Sequence, residues 1–141
     1  MARDTALTLF FDGGCRPNPG RMESAVVAQG QVYLRPDAGE GGSGTAEWRA
    51  LLHALEVAAT LGARDIVLVG DAANVVAQAR GTTRCSPSAR AELAAFRAAA
   101  AGFARVRLRA VKRSQNLAGQ ALEKHRWAAI AGAAPPPAPT R

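Results

Sequence analysis

The chain has little cysteine, little histidine and few aromatic side chains among its 141 residues. Its two cysteines, Cys15 and Cys85, are too few for a disulfide framework or a zinc site. No apolar run approaches the ~20 residues that a membrane span requires. The N-terminus carries Arg3 and Asp4 before only a short apolar run, which does not match a signal peptide. We therefore expect a cytoplasmic protein that does not associate with membranes. We also expect a monomer, although none of these sequence features determines the oligomeric state.

Acidic residues are scarce in the second half of the chain. Residues 1–70 carry a net charge of −2, whereas residues 71–141 carry +9. A strongly basic half suits a polyanionic partner such as nucleic acid. A genome composition that favours arginine and alanine produces the same imbalance, so charge alone leaves both explanations open.

Apolar residues, by contrast, are plentiful enough for one core. A chain of 141 residues with 48% hydrophobic content is typical of a single globular domain. We assign this domain to residues 1–131. Residues 132–141 are rich in proline and alanine and predict a disordered tail.

Hydrophobic periodicity predicts the element order β-β-β-α-β-α-α-β-α. Strands are expected at 6–11, 22–29, 30–35, 66–69 and 105–110, and helices at 45–61, 72–79, 87–101 and 116–130. Gly13 to Gly20, with two prolines, predicts a turn that ends the first strand. Three hairpin-linked strands followed by βα units indicate an α/β fold. Its sheet would be mixed and five-stranded, with three antiparallel and then two parallel strands, and flanked by helices.

Three acids from distant parts of the chain lie at the ends of apolar segments. Asp12 ends one strand, Asp71 ends another, and Glu47 lies near the start of a leucine-rich helix. A buried carboxylate must be paired or bound to metal, and ligand crevices in α/β sheets form at the carboxyl ends of strands. Each acid alone could cap a turn or favour a helix dipole. Together they predict a shared site for a divalent metal.

The three acids also belong to motifs that resemble the type 1 ribonuclease H family. The four motifs occur in the family's order and are Phe11-Asp12-Gly13 through Asn18-Pro19-Gly20, Ala46-Glu47-Trp48, Val69-Gly70-Asp71, and Asn116 with Gln120 and Leu122. The resemblance covers residues 6–130. It implies the ribonuclease H-like fold and a metal-dependent endonuclease that hydrolyses the RNA strand of RNA–DNA hybrids.

The resemblance also implies roles for individual residues in a site for two Mg²⁺ or Mn²⁺ ions. Asp12 would bridge both ions, and Glu47 and Asp71 would hold the ion on the leaving-group side. Position 120 would hold the ion that activates water, and Gln120 stands there in place of the fourth acid. Because an amide oxygen is a neutral and weaker ligand, we expect reduced activity. Glu123 lies one turn further along the helix and could substitute in part, or be a solvated surface charge.

The resemblance implies a second group of residues that contact the substrate. These are Gly13, Cys15, Asn18, Ser43, Arg113 and Asn116. Ser43 and Gly44 stand where the family shows two asparagines. The alternating Arg105, Arg107 and Arg109 form either a phosphate-binding or a solvated strand face. A non-catalytic nucleic-acid-binding module that keeps the fold is the alternative function.

Overall fold

The computed structural model describes residues 5–133. It contains six strands and four α-helices in the predicted order, with one short strand added between the third predicted strand and the first helix. The strands are β1 Leu7–Cys15, β2 Gly20–Ala28, β3 Gln31–Arg35, β4 Glu40–Gly41, β5 Asp65–Gly70 and β6 Arg105–Ala110. The helices are α1 Ser43–Thr60, α2 Ala73–Arg80, α3 Arg90–Ala100 and α4 Leu117–Ala133. Short 3₁₀ turns at Pro87–Ala89 and Arg113–Gln115 precede α3 and α4.

The sheet has the strand order β3-β2-β1-β5-β6. Strands β1, β2 and β3 pair antiparallel, whereas β5 pairs parallel with both β1 and β6. The predicted α/β fold with a mixed sheet is therefore confirmed. The additional β4 is a two-residue strand that pairs with the start of β2.

The first strand is longer than its apolar run predicts. β1 continues through Gly13, Gly14 and Cys15, which pair with residues 22–24 of β2. The prediction of a turn from Gly13 onward was wrong, because backbone pairing continues where the side chains become small. Gly13 is required by packing: a Cβ there would overlap the carbonyl oxygen of Ala46. This contact brings the start of α1 directly against β1.

The boundaries of the other elements differ by a few residues from those predicted. A two-residue turn joins β2 to β3, and positive φ at Gln29 and Gly30 suits the twist of a tight hairpin. α1 begins at Ser43, two residues earlier than predicted. α4 extends to Ala133 and so includes the first two residues assigned to the tail. Residues 134–141, the rest of the predicted tail, lie outside the described residues.

Helices cover both faces of the sheet. The larger core cluster packs α1, α2 and α3 against one face and includes Leu9, Phe11, Leu51, Leu55 and Leu68. A smaller cluster packs α4 against the other face through Ala25, Val27, Ala118 and Leu122. Because side chains alternate along a strand, Phe10 and Asp12 lie on the face that α4 covers. Within residues 5–133, no helix combines the length and apolar character needed to cross a membrane.

Candidate metal centre

The fold brings the three predicted acids together. Asp12, Glu47 and Asp71 each contribute a carboxylate oxygen, and these three oxygens lie within 4.8 Å of one another. Asp12 is 1% exposed, while Glu47 and Asp71 are half-buried. Oxygen donors at such mutual distances can all contact one hard cation such as Mg²⁺ or Mn²⁺. The cluster is thus a candidate site for a divalent metal.

Sheet register accounts for two of the three positions. β1 and β5 are parallel neighbours in which Phe10 pairs with Val69. Asp12 follows Phe10 by two residues, and Asp71 follows Val69 by two. Their side chains therefore lie on the same face of the sheet. Glu47 comes from α1 instead, and the backbone N–H of Gly13 donates a 3.3 Å hydrogen bond to its Oε1. The close approach of α1 to Gly13 therefore holds the third acid in place.

Burial and electrostatic repulsion disfavour the ionised forms of Asp12 and Glu47. Removal from water, together with the charges of Asp12 and Asp71, raises the pKa of Glu47 from 4.5 to about 8. Burial likewise raises the pKa of Asp12 to about 6, although the nearby guanidinium of Arg113 opposes this rise. A bound cation would favour the charged form of both acids. The cluster therefore has an electrostatic preference for a positive partner.

Arg113 supplies a positive charge directly to the cluster. Its Nη1 donates to Asp71 Oδ2 at 2.9 Å and to Asp12 Oδ1 at 3.4 Å. These two bonds, with the negative charge of Asp12, raise the pKa of the guanidinium above its usual range. The predicted substrate-contacting residue Arg113 thus lies among the acids themselves.

Asn116 lies beneath the cluster rather than at its surface. The side chain is fully buried, and its amide donates to Asp71 Oδ1 at 2.7 Å and to the carbonyl oxygen of Phe11 at 3.0 Å. Its carbonyl oxygen accepts from the N–H of Ala118 at 3.1 Å, at the first turn of α4. Every polar atom of this side chain is engaged within the protein. Asn116 therefore positions Asp71, a role that the sequence did not indicate.

The two further ligands suggested by the sequence lie outside the acid cluster. Gln120 is exposed, and its amide donates to the carbonyl oxygen of Ser114 at 3.3 Å. Glu123 is exposed and is not part of the cluster. Gly119 of α4 lies close to Asp12, since a Cβ there would be 3.6 Å from Asp12 Oδ2.

Comparisons with known proteins agree with this geometry. The family model described as "Reverse transcriptase-like" matches residues 11–125. Ribonuclease H1 from Halobacterium salinarum NRC-1 is 30% identical, with a TM-score of 0.76 over 84% of this chain and 94% of that one. The chain belongs to the ribonuclease H family. A search of curated proteins finds no significant match.

Two further members of the ribonuclease H family have similar structures. The N-terminal ribonuclease H domain of a Mycobacterium tuberculosis protein is 25% identical, with a TM-score of 0.73 over 88% of this chain and 98% of that one. LC11-RNase H1 in complex with an RNA/DNA hybrid shares the fold at 19% identity, with a TM-score of 0.68. The matched region covers 79% of this chain and 88% of LC11-RNase H1.

The remaining predicted contact residues of this ribonuclease H-family chain form one network at the start of α1. Asn18 Oδ1 accepts from the backbone N–H of Ser43 at 3.2 Å, and Asn18 Nδ2 donates to Ser43 Oγ at 3.2 Å. The thiol of Cys15, which is buried, donates to the same Asn18 oxygen at 3.4 Å. This network joins the β1–β2 turn to the N-terminus of α1, where α1's free N–H groups favour anions.

Two side chains that share a pocket with Arg113 were missed by the sequence reasoning. Trp127 is 56% exposed and lines a pocket with Lys124. The other residues of this pocket are Arg113, Gly119, Gln120 and Glu123. Trp127 follows Gln120 by seven residues and Lys124 by three, a spacing that predicts a shared helix face. That spacing was the available signal.

The basic face of β6 lies apart from this pocket. Arg105, Arg107 and Arg109 are exposed, and Arg107 donates to Asp65 Oδ1 at 3.1 Å. His53 is buried and hydrogen-bonded to Ser24 Oγ at 2.8 Å, so it is a packing residue. His125 and Arg126 both approach Glu23 on β2.

Proposed function

We propose that this protein is a divalent-metal-dependent endoribonuclease that hydrolyses the RNA strand of RNA–DNA hybrids. The observation that carries the proposal is the convergence of one carboxylate oxygen each from Asp12, Glu47 and Asp71 within 4.8 Å, where the parallel pairing of β1 and β5 ends. Membership of the ribonuclease H family supports the same reaction class.

The residues present fit a hard divalent ion. All three donors are carboxylates, which suit Mg²⁺ and Mn²⁺ better than softer metals. Burial raises the pKa values of Asp12 and Glu47, and a bound cation would favour the charged forms of both. When bound, the ion would supply Lewis-acid stabilisation of phosphate charge and would help to deprotonate water.

The chain's own residues orient these donors. Asn116 fixes one oxygen of Asp71, and the N–H of Gly13 fixes one oxygen of Glu47. Asp12 is enclosed between β1, Arg113 and Gly119, so its carboxylate has little freedom to reorient. A guanidinium beside these acids is also placed to contact a phosphate of the cleaved strand.

Substrate choice is supported by three further observations. The turn that contains Asn18 and the start of α1 at Ser43 adjoin the acids and offer polar groups to a nucleic-acid backbone. The fold is also that of LC11-RNase H1, which has been crystallised with an RNA/DNA hybrid. The formal net charge of +7 favours a polyanionic substrate.

A non-catalytic hybrid-binding module is the second candidate. Arg113 already neutralises part of the acid cluster, and Gln120 offers no fourth carboxylate. A centre with weakened metal affinity would bind hybrid without cleaving it. The two candidates share the binding surface and differ only in turnover.

Cleavage of a labelled RNA–DNA hybrid in Mg²⁺ and in Mn²⁺ distinguishes them. We expect cleavage of the RNA strand that is abolished by EDTA and by Asp12→Asn, which keeps the side-chain shape and removes the charge. Asp65→Asn is the matched control, since Asp65 is an acid on β5 remote from the cluster and paired with Arg107. Hybrid binding with no cleavage in either metal would contradict the enzyme proposal and favour the binding module.

A further inference from the structure

We propose that Arg113 is the second cation of this metal centre, so that the three acids bind one divalent ion rather than two. The inference rests on the proposed function and concerns how its charge is balanced. Nuclease centres commonly hold two divalent ions about 3.5–4 Å apart. The geometry around Asp12 and Asp71 points to a different arrangement in this chain.

The charges of the cluster account for one ion. Once a bound cation has favoured the ionised form of all three acids, they carry three negative charges, and the guanidinium of Arg113 offsets one of them. One divalent ion then balances the remaining two. A second ion would leave the centre with an excess of two positive charges, and this repulsion would act partly out of water because Asp12 is buried.

Arg113 also occupies a position between two of the acids. Its Nη1 lies 2.9 Å from Asp71 Oδ2 and 3.4 Å from Asp12 Oδ1, which is the space between two prospective ligands. Asp12 Oδ2 makes no hydrogen bond to Arg113, and Asp71 Oδ1 accepts one hydrogen bond from Asn116 and keeps a second lone pair for a metal. Glu47 makes no hydrogen bond to Arg113 in the described structure. One ion shared by the three acids is therefore compatible with the bound guanidinium.

Gln120 supports the turn that carries Arg113. The 3₁₀ turn Arg113–Gln115 is closed by backbone bonds from Gln115 to Lys112 and from Asn116 to Arg113. The amide of Gln120 donates to Ser114 within this turn. A carboxylate at position 120 has no hydrogen to donate and could not make this bond. Gln120 and Arg113 therefore change the charge of the centre in the same direction. Gln120 contributes no negative charge, and Arg113 contributes a positive one.

Counting bound Mn²⁺ ions tests the inference on the full chain without hybrid. Isothermal titration calorimetry, with free Mn²⁺ measured by electron paramagnetic resonance, should give one ion for the wild type and for Arg113→Lys. The double variant Arg113→Gln with Gln120→Asp should bind two ions. Arg113→Gln alone should bind its first ion about tenfold more tightly, because a neighbouring positive charge is lost. Arg107→Gln removes an arginine that is paired with Asp65, away from the three acids. It should change neither the number of bound Mn²⁺ ions nor the affinity for them.

Each outcome decides the inference. Two ions of similar affinity in the wild type would overturn it, as would a folded double variant that still binds one. Unchanged or weaker Mn²⁺ affinity in Arg113→Gln, relative to Arg107→Gln, would also overturn it, even where the double variant does not fold. Two bound ions together with hybrid cleavage would leave the proposed function intact. No Mn²⁺ binding and no cleavage would contradict both.

Discussion

The side-chain amide of Asn116 donates a 2.7 Å hydrogen bond to Asp71 Oδ1, across 45 residues of sequence. The same amide donates to the carbonyl oxygen of Phe11, which directly precedes Asp12. One buried side chain thus connects the middle of β1 and the residue that follows β5 to the first turn of α4. The relative positions of two acids in the metal centre depend on it.

We expect Asn116→Ala to destabilise the protein by about 2–3 kcal/mol, because it removes a helix cap and leaves a buried carbonyl unpaired. Asn116→Asp keeps the acceptor for Ala118 but removes both donors and places a charge against Asp71. It should impair metal binding more than Asn116→Ala. Urea unfolding and Mn²⁺ titration measure the two effects. Asn74→Ala, an exposed asparagine on α2, is the control; equal effects at both positions would contradict the proposed role.

Glu47→Gln should stabilise the metal-free protein, and the gain should grow with pH. The pKa of Glu47 is raised in the folded state from 4.5 to about 8, so the folded state holds its proton where the unfolded state has lost it. Wild-type stability therefore falls as pH rises from about 4.5 to 8. Glutamine removes this penalty while still accepting from Gly13 N–H.

Thermal unfolding of both proteins in EDTA between pH 4.5 and 8 measures this difference. Saturating Mg²⁺ or Mn²⁺ should reverse the order at high pH, since only the wild type keeps the full ligand set. At 100-fold excess over the dissociation constant the ion adds about 2.7 kcal/mol. A stability difference that is constant with pH would show that the pKa of Glu47 is not raised in the metal-free folded state.

The wild type should lose stability at acidic pH because of His53, and His53→Gln should not show this loss. Burial and the charge of Arg35 lower the pKa of His53 from 6.5 to about 4, so the unfolded state binds the proton first. The stabilisation is complete above pH 6.5 and is lost as pH falls toward 4. Urea unfolding should show that the difference in the free energy of unfolding between wild type and variant changes with pH over this range. Parallel curves would indicate that His53 titrates normally.

Trp127 should report hybrid binding. It is 56% exposed beside Arg113, whereas Trp48 is 3% exposed in the core. Addition of hybrid should quench the fluorescence of Trp127, and Trp127→Phe should abolish the change while retaining an aromatic surface. Trp127→Ala should weaken hybrid binding several-fold without altering Mn²⁺ affinity. Quenching that persists in Trp127→Phe would place the contact elsewhere.

Much of the fold followed from local patterns. Helical spacing in α1 and the apolar run of β5 specified their elements, because periodicity depends on neighbouring residues. The extension of β1 through Gly13–Cys15 was missed, since its cause is pairing with β2 rather than apolar side chains. The pocket beside Trp127 was missed for a similar reason: its residues have ordinary helical spacing, and only the packing of α4 brings Arg113 to them.

The sequence by itself determined the chemistry of the three acids and the order of the elements. Asp12, Glu47 and Asp71 could be selected because carboxylates at the ends of apolar segments need a partner. Only the tertiary structure decided which partner each has. Arg113 is 101 residues from Asp12 and 42 from Asp71, and it reaches both because parallel pairing sets their strands side by side. Such contacts depend on the register of the whole sheet, which no local pattern encodes.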